Sequence, residues 1–252
     1  MKILLPLLSL LILLPRAHAS ERRLTVVIDP GHGGEQQGAP GVNKVWEKEL
    51  TLAIAKRFAA RVRDELSANA ILTREGDSHL FLGRRIGFAN QHGADLFISI
   101  HLNSMPTAWE RAHLNGIETY FLSADASDDR AASVAATENA DDGPKKKAAG
   151  DLALILDDLT LTAAHQDAAR LAKAVHTALV TRLHATDHGV QQAPFVVLEG
   201  AQMPAILCEV GFISHPDEGA KLATAAYQDE IAEALVQGVR AFLARGNASA
   251  NR

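Results

Sequence analysis

The sequence predicts an α/β fold: a single three-layer domain in which helices cover a central sheet. Three observations carry that expectation. Apolar runs of strand length alternate with longer stretches whose apolar residues recur at helical spacing, the pattern that packs helices onto a sheet. The 252 residues, 47% of them hydrophobic, suffice for one full core rather than two once a leader is removed. The single cysteine, Cys208, has no partner in the chain, so the fold rests on its core and not on a disulfide.

Taken in order, residues 1–19 read as a secretory signal peptide. Lys2 precedes an almost unbroken Leu/Ile run from Ile3 to Leu14, and Ala17-His18-Ala19 supplies the small-x-small cleavage site. That run of about a dozen residues is shorter than the roughly 20 that cross a bilayer, so no membrane span is expected in the mature protein. Leu24–Asp29 is the first strand. Glu47–Leu66 carries Leu50, Ile54, Phe58 and Val62 on one helix face. Ala70–Thr73 is a strand, Phe81–Gln91 a helix, Leu96–His101 a strand, and Gly116–Leu122 a further strand of alternating character.

Between Ala124 and Gly150 the pattern breaks down. The stretch is rich in Ala, Asp and Ser and holds Lys145-Lys146-Lys147, so it reads as a mobile surface excursion with a solvated charge run. Within it a helix is expected around Arg130–Asn139. Asp151–Leu159 then reads as a short, strongly apolar helix, and Ala168–Leu183 as a longer one. Phe195–Leu198 and Ala205–Val210 are expected strands, Tyr227–Ala244 a closing amphipathic helix, and 247–252 a disordered tail. A formal net charge of −5 offers no cationic excess for phosphates, which argues against a nucleic-acid partner.

Ile28-Asp29-Pro30-Gly31-His32-Gly33-Gly34 is a strand that stops in a glycine-rich turn carrying one histidine, and Phe97-Ile98-Ser99-Ile100-His101 delivers a second histidine at a strand end. Glu47 opens the intervening helix. Three such ligands from separate elements, converging at one end of a sheet, are the set a hydrolytic zinc site uses with one position left open. Glu49 competes with Glu47, but two positions along a helix is about 200° around it, so only one of them faces the metal. Glu209, inside the apolar run Pro204–Val210, is placed where burial raises a carboxyl pKa toward general acid–base work. Cys208 reads as a small buried residue rather than a nucleophile. Asp29 is open between a partner for an imidazole and a turn cap, and Asn103 between a substrate contact and a strand end. Arg74, Arg84 and Arg85 read as structural and stay outside the site.

The segments Ile28–Gly34, Trp46-Glu-Lys-Glu-Leu-Thr-Leu52, Ser99-Ile-His-Leu-Asn-Ser104 and Leu207-Cys-Glu-Val-Gly-Phe-Ile-Ser214 resemble, in order, the four signature blocks of the zinc-dependent N-acetylmuramoyl-L-alanine amidases. The resemblance implies a mixed six-stranded sheet, one catalytic Zn2+, and hydrolysis of the amide between the lactyl group of N-acetylmuramic acid and the L-alanine of the stem peptide. Matched residue by residue, His32, Glu47 and His101 resemble the zinc ligands, with Glu47 favoured over Glu49, and Glu209 resembles the catalytic glutamate. It further implies a peptidoglycan substrate, a periplasmic or secreted setting and a role in wall remodelling or daughter-cell separation. Division-associated members carry an inserted segment over the site, here about 124–159 of a catalytic domain spanning 20–246, which an activator protein moves aside. Glu138 lies in that insert; it reads as an exposed acidic residue, with the open metal position as the alternative. No targeting domain is expected between Ala19 and Leu24, and no wall-binding repeats after the catalytic domain. A zinc peptidase cutting within the stem peptide, or a non-catalytic wall-binding or activator protein on the same fold, are the competing readings.

Overall fold

The computed structural model describes residues 22–42, 44–140 and 159–250, with side chains described over 22–42, 44–140 and 163–245. The expected signal peptide, the Lys145–Lys147 run, residues 151–158 of the apolar helix, and 251–252 lie outside the described residues. Six strands form one sheet: β1 (Thr25–Pro30), β2 (Asn69–Leu72), β3 (Leu96–Asn103), β4 (Ile117–Leu122), β5 (Asp187–Ala193) and β6 (Ala205–Phe212). Their order is β2-β1-β3-β6-β4-β5. All neighbours run parallel except β4 and β6, so the sheet is mixed.

Alternation along the strands splits the interior into two cores. Val26, Ile28, Ile98, Ile100, Ile206 and Cys208 face α1 (Glu47–Leu66) and two long helices, called α5 (Leu159–Leu183) and α7 (Ala225–Ala250) in chain order. Val27, Phe97, Tyr120 and Leu207 face α2 (Leu82–Gln91), α4 (Asp129–Asn139) and a 3₁₀ turn at Val196–Leu198. Short helices α3 (Ala108–His113) and α6 (Pro216–Leu222) complete the chain. The same alternation carries Asp29, Ser99, His101 and Glu209 onto the α2/α4 face. Because β4 is antiparallel, its first residues, Glu118 among them, reach the edge where β1, β3 and β6 end.

Three expectations are corrected. Residues 195–198 are not a strand: the N–H of Val196 and the carbonyl of Pro194 are taken by the Asn139 side chain at 2.8 Å each, so they find a helix end instead of a ladder. The sixth strand is instead Asp187–Ala193, a half-buried edge strand whose polar residues give no apolar alternation to read. The stretch after Ala124 is not wholly a surface excursion, since Asp128 caps α4 by accepting the N–H of Ala131 and the helix buries Ala131, Val134, Ala135 and Glu138 against the sheet. The closing helix also continues to Ala250, past the start of the expected tail.

Candidate metal centre

Beyond β1 the chain curls through left-handed backbone, with φ of 58° at His32, 128° at Gly33 and 60° at Gly34. A Cβ at Gly31 would lie 2.5 Å from the His101 ring, so glycine is what lets the turn and the second histidine approach. Two buried guanidinium groups hold the turn. Arg85 pairs with Asp29 at 3.0 Å and donates to the carbonyls of Pro30 and His32 at 2.8 and 2.9 Å. Arg74 donates to the carbonyls of Gly31 and Lys48 at 2.7 and 2.8 Å, tying the turn to the start of α1. Asp29 is thus neither an imidazole partner nor a simple cap; it is the counter-ion of Arg85 and also accepts from Ser99 Oγ at 2.8 Å. Arg84 is exposed. Arg85→Ala is expected to cost about 3–5 kcal/mol, because it strands a buried carboxylate, and a thermal or urea unfolding curve reads that loss.

The helix entry separates the two candidate glutamates. Glu49 is exposed and accepts the N–H of Trp46 at 3.0 Å. Glu47 is buried, with one oxygen accepting the N–H of Ala39 and the other that of Leu102, both at 2.9 Å. Its orientation is therefore locked by the loop before α1 and by β3.

His32 Nε2 lies 3.0 Å from Glu47 Oε2 and 3.3 Å from Glu138 Oε2; His101 Nδ1 lies 3.2 Å from Glu47 Oε1 and 2.8 Å from Glu138 Oε2. One ligand atom from each of the four residues falls within 4.8 Å of all the others. Burial works against charge on Glu47, yet the two histidines outweigh it and hold its carboxyl well below the ordinary range. Burial likewise opposes a charged His101, but Glu138 and then Glu47 lift its pKa to about 10. Two imidazole nitrogens and two carboxylates gathered out of water are a donor set that suits a divalent ion such as zinc.

The structure thus brings His32, Glu47 and His101 together and adds Glu138, which is buried, not exposed as the sequence reading had it. The signal for it was present: 131, 134, 135 and 138 are spaced as one helix face, so Glu138 completes an otherwise apolar stripe. Glu209 stands opposite His101 in the β3–β6 register. It is fully buried, and among the described residues neither carboxylate oxygen has a hydrogen-bond partner. Burial, reinforced by the charge of Glu138 and opposed by His101, raises its pKa well above the usual carboxyl range. Such a group is costly to keep and free to engage a water or a substrate. Asn103 turns to Glu118, donating to its Oε2 at 2.7 Å, and no local signal in the strand 116–122 marks that further buried glutamate. Cys208 is buried and its thiol is pushed up by desolvation, in keeping with a structural residue.

Residues 26–241 match the family model Amidase_3, N-acetylmuramoyl-L-alanine amidase. The chain is 34% identical to N-acetylmuramoyl-L-alanine amidase AmiC of Escherichia coli O6:H1, over 94% of this chain and 57% of that protein. It is 36% identical to AmiA of Escherichia coli K12, over 90% of this chain and 79% of the relative. The fold overlays on an N-acetylmuramoyl-L-alanine amidase from Clostridium difficile 630 with a TM-score of 0.68 and 29% identity, covering 88% of this chain and 97% of the other. The match runs from β1 into the closing helix and takes in every residue of the buried cluster, and on that extent the chain belongs to the N-acetylmuramoyl-L-alanine amidase family.

Proposed function

We propose that this chain hydrolyses peptidoglycan at the amide between the lactyl group of N-acetylmuramic acid and the L-alanine of the stem peptide, with one zinc ion held by His32, Glu47 and His101 and Glu209 as general acid–base. Membership of the family carries the amidase reaction class. The observation that carries the residue roles is a four-donor cluster lying beside a buried carboxylate that has no hydrogen bond among the described residues. Zinc at such a site supplies Lewis acidity toward a carbonyl and toward water. Glu209 takes the proton of the attacking water and returns it to the departing alanine nitrogen, the two-way transfer that a raised carboxyl pKa favours. Glu47, gripped by two backbone N–H groups, keeps the ligand geometry fixed through the cycle.

Glu138 fills the fourth donor place in this reading, so α4 is a shield that must leave before substrate enters. An activator protein is the agent proposed to move it, with 124–159 as the regulated insert of a catalytic domain covering 20–246. The signal-like residues 1–19 support export to the periplasm, where wall remodelling and daughter-cell separation take place. Among the described residues no helix is long and apolar enough to cross a membrane.

Zinc analysis combined with dye release from purified sacculi and mass spectrometry of the fragments tests the reading. Chelation is expected to abolish release and added zinc to restore it, with stem peptides freed at their L-alanine amine. Fragments cut inside the stem peptide favour the zinc peptidase instead, and zinc-loaded protein that binds sacculi without releasing dye favours a non-catalytic wall protein.

A further inference from the structure

Helix α4 carries a further polar anchor besides Glu138 and Asn139. Arg130 forms an ion pair with Glu118 and lays its guanidinium over the ring of Phe212, Cζ standing 5.3 Å from the centroid. Glu118 is buried, and its Oε2 is occupied by Asn103 Nδ2 and the Tyr120 hydroxyl, each at 2.7 Å. Its Oε1 is the oxygen that meets Arg130. Among the described residues Nε and Nη2 of Arg130 make no hydrogen bond, and the guanidinium rests on the charge of Glu118 and on the ring face.

A carboxylate with one oxygen pinned and the other presented beside an aromatic face is a receptor for a cation. The receptor is part of the same rigid edge as the metal centre. Glu118 stands opposite Glu209 across the β4–β6 pairing, and Asn103 joins it to the end of β3, two residues beyond His101. Its present occupant is not part of that edge, since Arg130 is carried by the helix that also carries Glu138. Positions 130 and 138 lie about 12 Å apart along a helix axis, close to the reach of three or four residues of extended chain.

We propose that Glu118 and Phe212 form a subsite for a side-chain ammonium group of the stem peptide, and that Arg130 stands in for that group while α4 is docked. The inference rests on the reading above, in which α4 withdraws and the first peptide amide lies at the metal. An ammonium on the third residue of an extended stem then reaches Glu118 as the guanidinium leaves it. Docked α4 imitates the substrate at two points, a carboxylate at the metal and a cation at the peptide subsite.

The test uses the full zinc-loaded chain carrying Glu138→Ala and two muropeptides that differ only in a free or N-acetylated side-chain amine. The free amine is expected to give at least a tenfold higher kcat/KM, and adding Glu118→Gln is expected to shrink that ratio to about twofold or less. Equal handling of the two substrates with Glu118 intact overturns the subsite, as does an undiminished ratio in Glu118→Gln. Binding gives a readout independent of turnover. Arg130→Ala in the otherwise native chain is expected to tighten its hold on the isolated stem peptide several-fold and to leave the acetylated peptide unaffected; no change in either also overturns it. Equal hydrolysis of both muropeptides sinks the subsite and leaves the amidase reading intact, whereas amine-dependent peptide binding without hydrolysis does the reverse.

Discussion

Glu209→Gln is expected to lower the release of stem peptides by about 10²–10⁴-fold, the range that loss of a positioned proton-transfer group produces. Zinc content is expected to stay unchanged, because the cluster of His32, Glu47, His101 and Glu138 does not include this residue. Stability provides the discriminating readout. A carboxylate that is fully buried, without a hydrogen bond among the described residues and close to Glu138, Glu47 and Glu118, burdens the fold, so its neutral isostere is expected to unfold at the same temperature or a higher one. A glutamate kept for structure would behave in the opposite way, with stability falling and turnover preserved. Activity within a few-fold of the parent would remove Glu209 from the mechanism.

Glu138→Ala is expected to act in the opposite direction. A hydrogen bond or ion contact to a charged group contributes about 1.5–3 kcal/mol, so removing the one that pins α4 over the cluster raises the open population, and with it wall digestion, by about 10–100-fold. Dye release from sacculi in the absence of any activator measures the gain. Glu209→Gln added to the same chain is expected to cancel it, which ties the increase to the same chemistry. Unchanged or reduced release by a folded, zinc-loaded Glu138→Ala chain would mean that α4 is not a shield.

Most of the framework could be read from residue order because it rests on local signals. The apolar runs of β1, β3 and β6 lead to the clustered histidines and the buried Glu209, and the helix spacing of Leu50, Ile54, Phe58 and Val62 places Glu47 at its entry. The Glu47 and Glu49 alternatives separated on geometry that a two-residue offset already demanded. What escaped was set by long-range pairing. β5 is a polar edge strand recognisable only once β4 is beside it, and residues 195–198 took a 3₁₀ turn because Asn139 reaches their backbone from another element. The burial of Glu138 is hard to see from residue order because its helix is poor in large apolar residues, although its spacing continues their stripe. Arg85 and Asp29, 56 positions apart, become a pair only when α2 packs beside β1.

The thinness of that same helix has a further meaning. Its apolar grip on the sheet consists of Ala131, Val134 and Ala135, in sum about 3–4 kcal/mol of side-chain burial. A micromolar protein complex carries about 8 kcal/mol. For the proposed shield, so small an apolar seat leaves Glu138, Arg130 and Asn139 as the contacts that fix the helix, and an ordinary protein encounter carries enough free energy to break the apolar part of the seal.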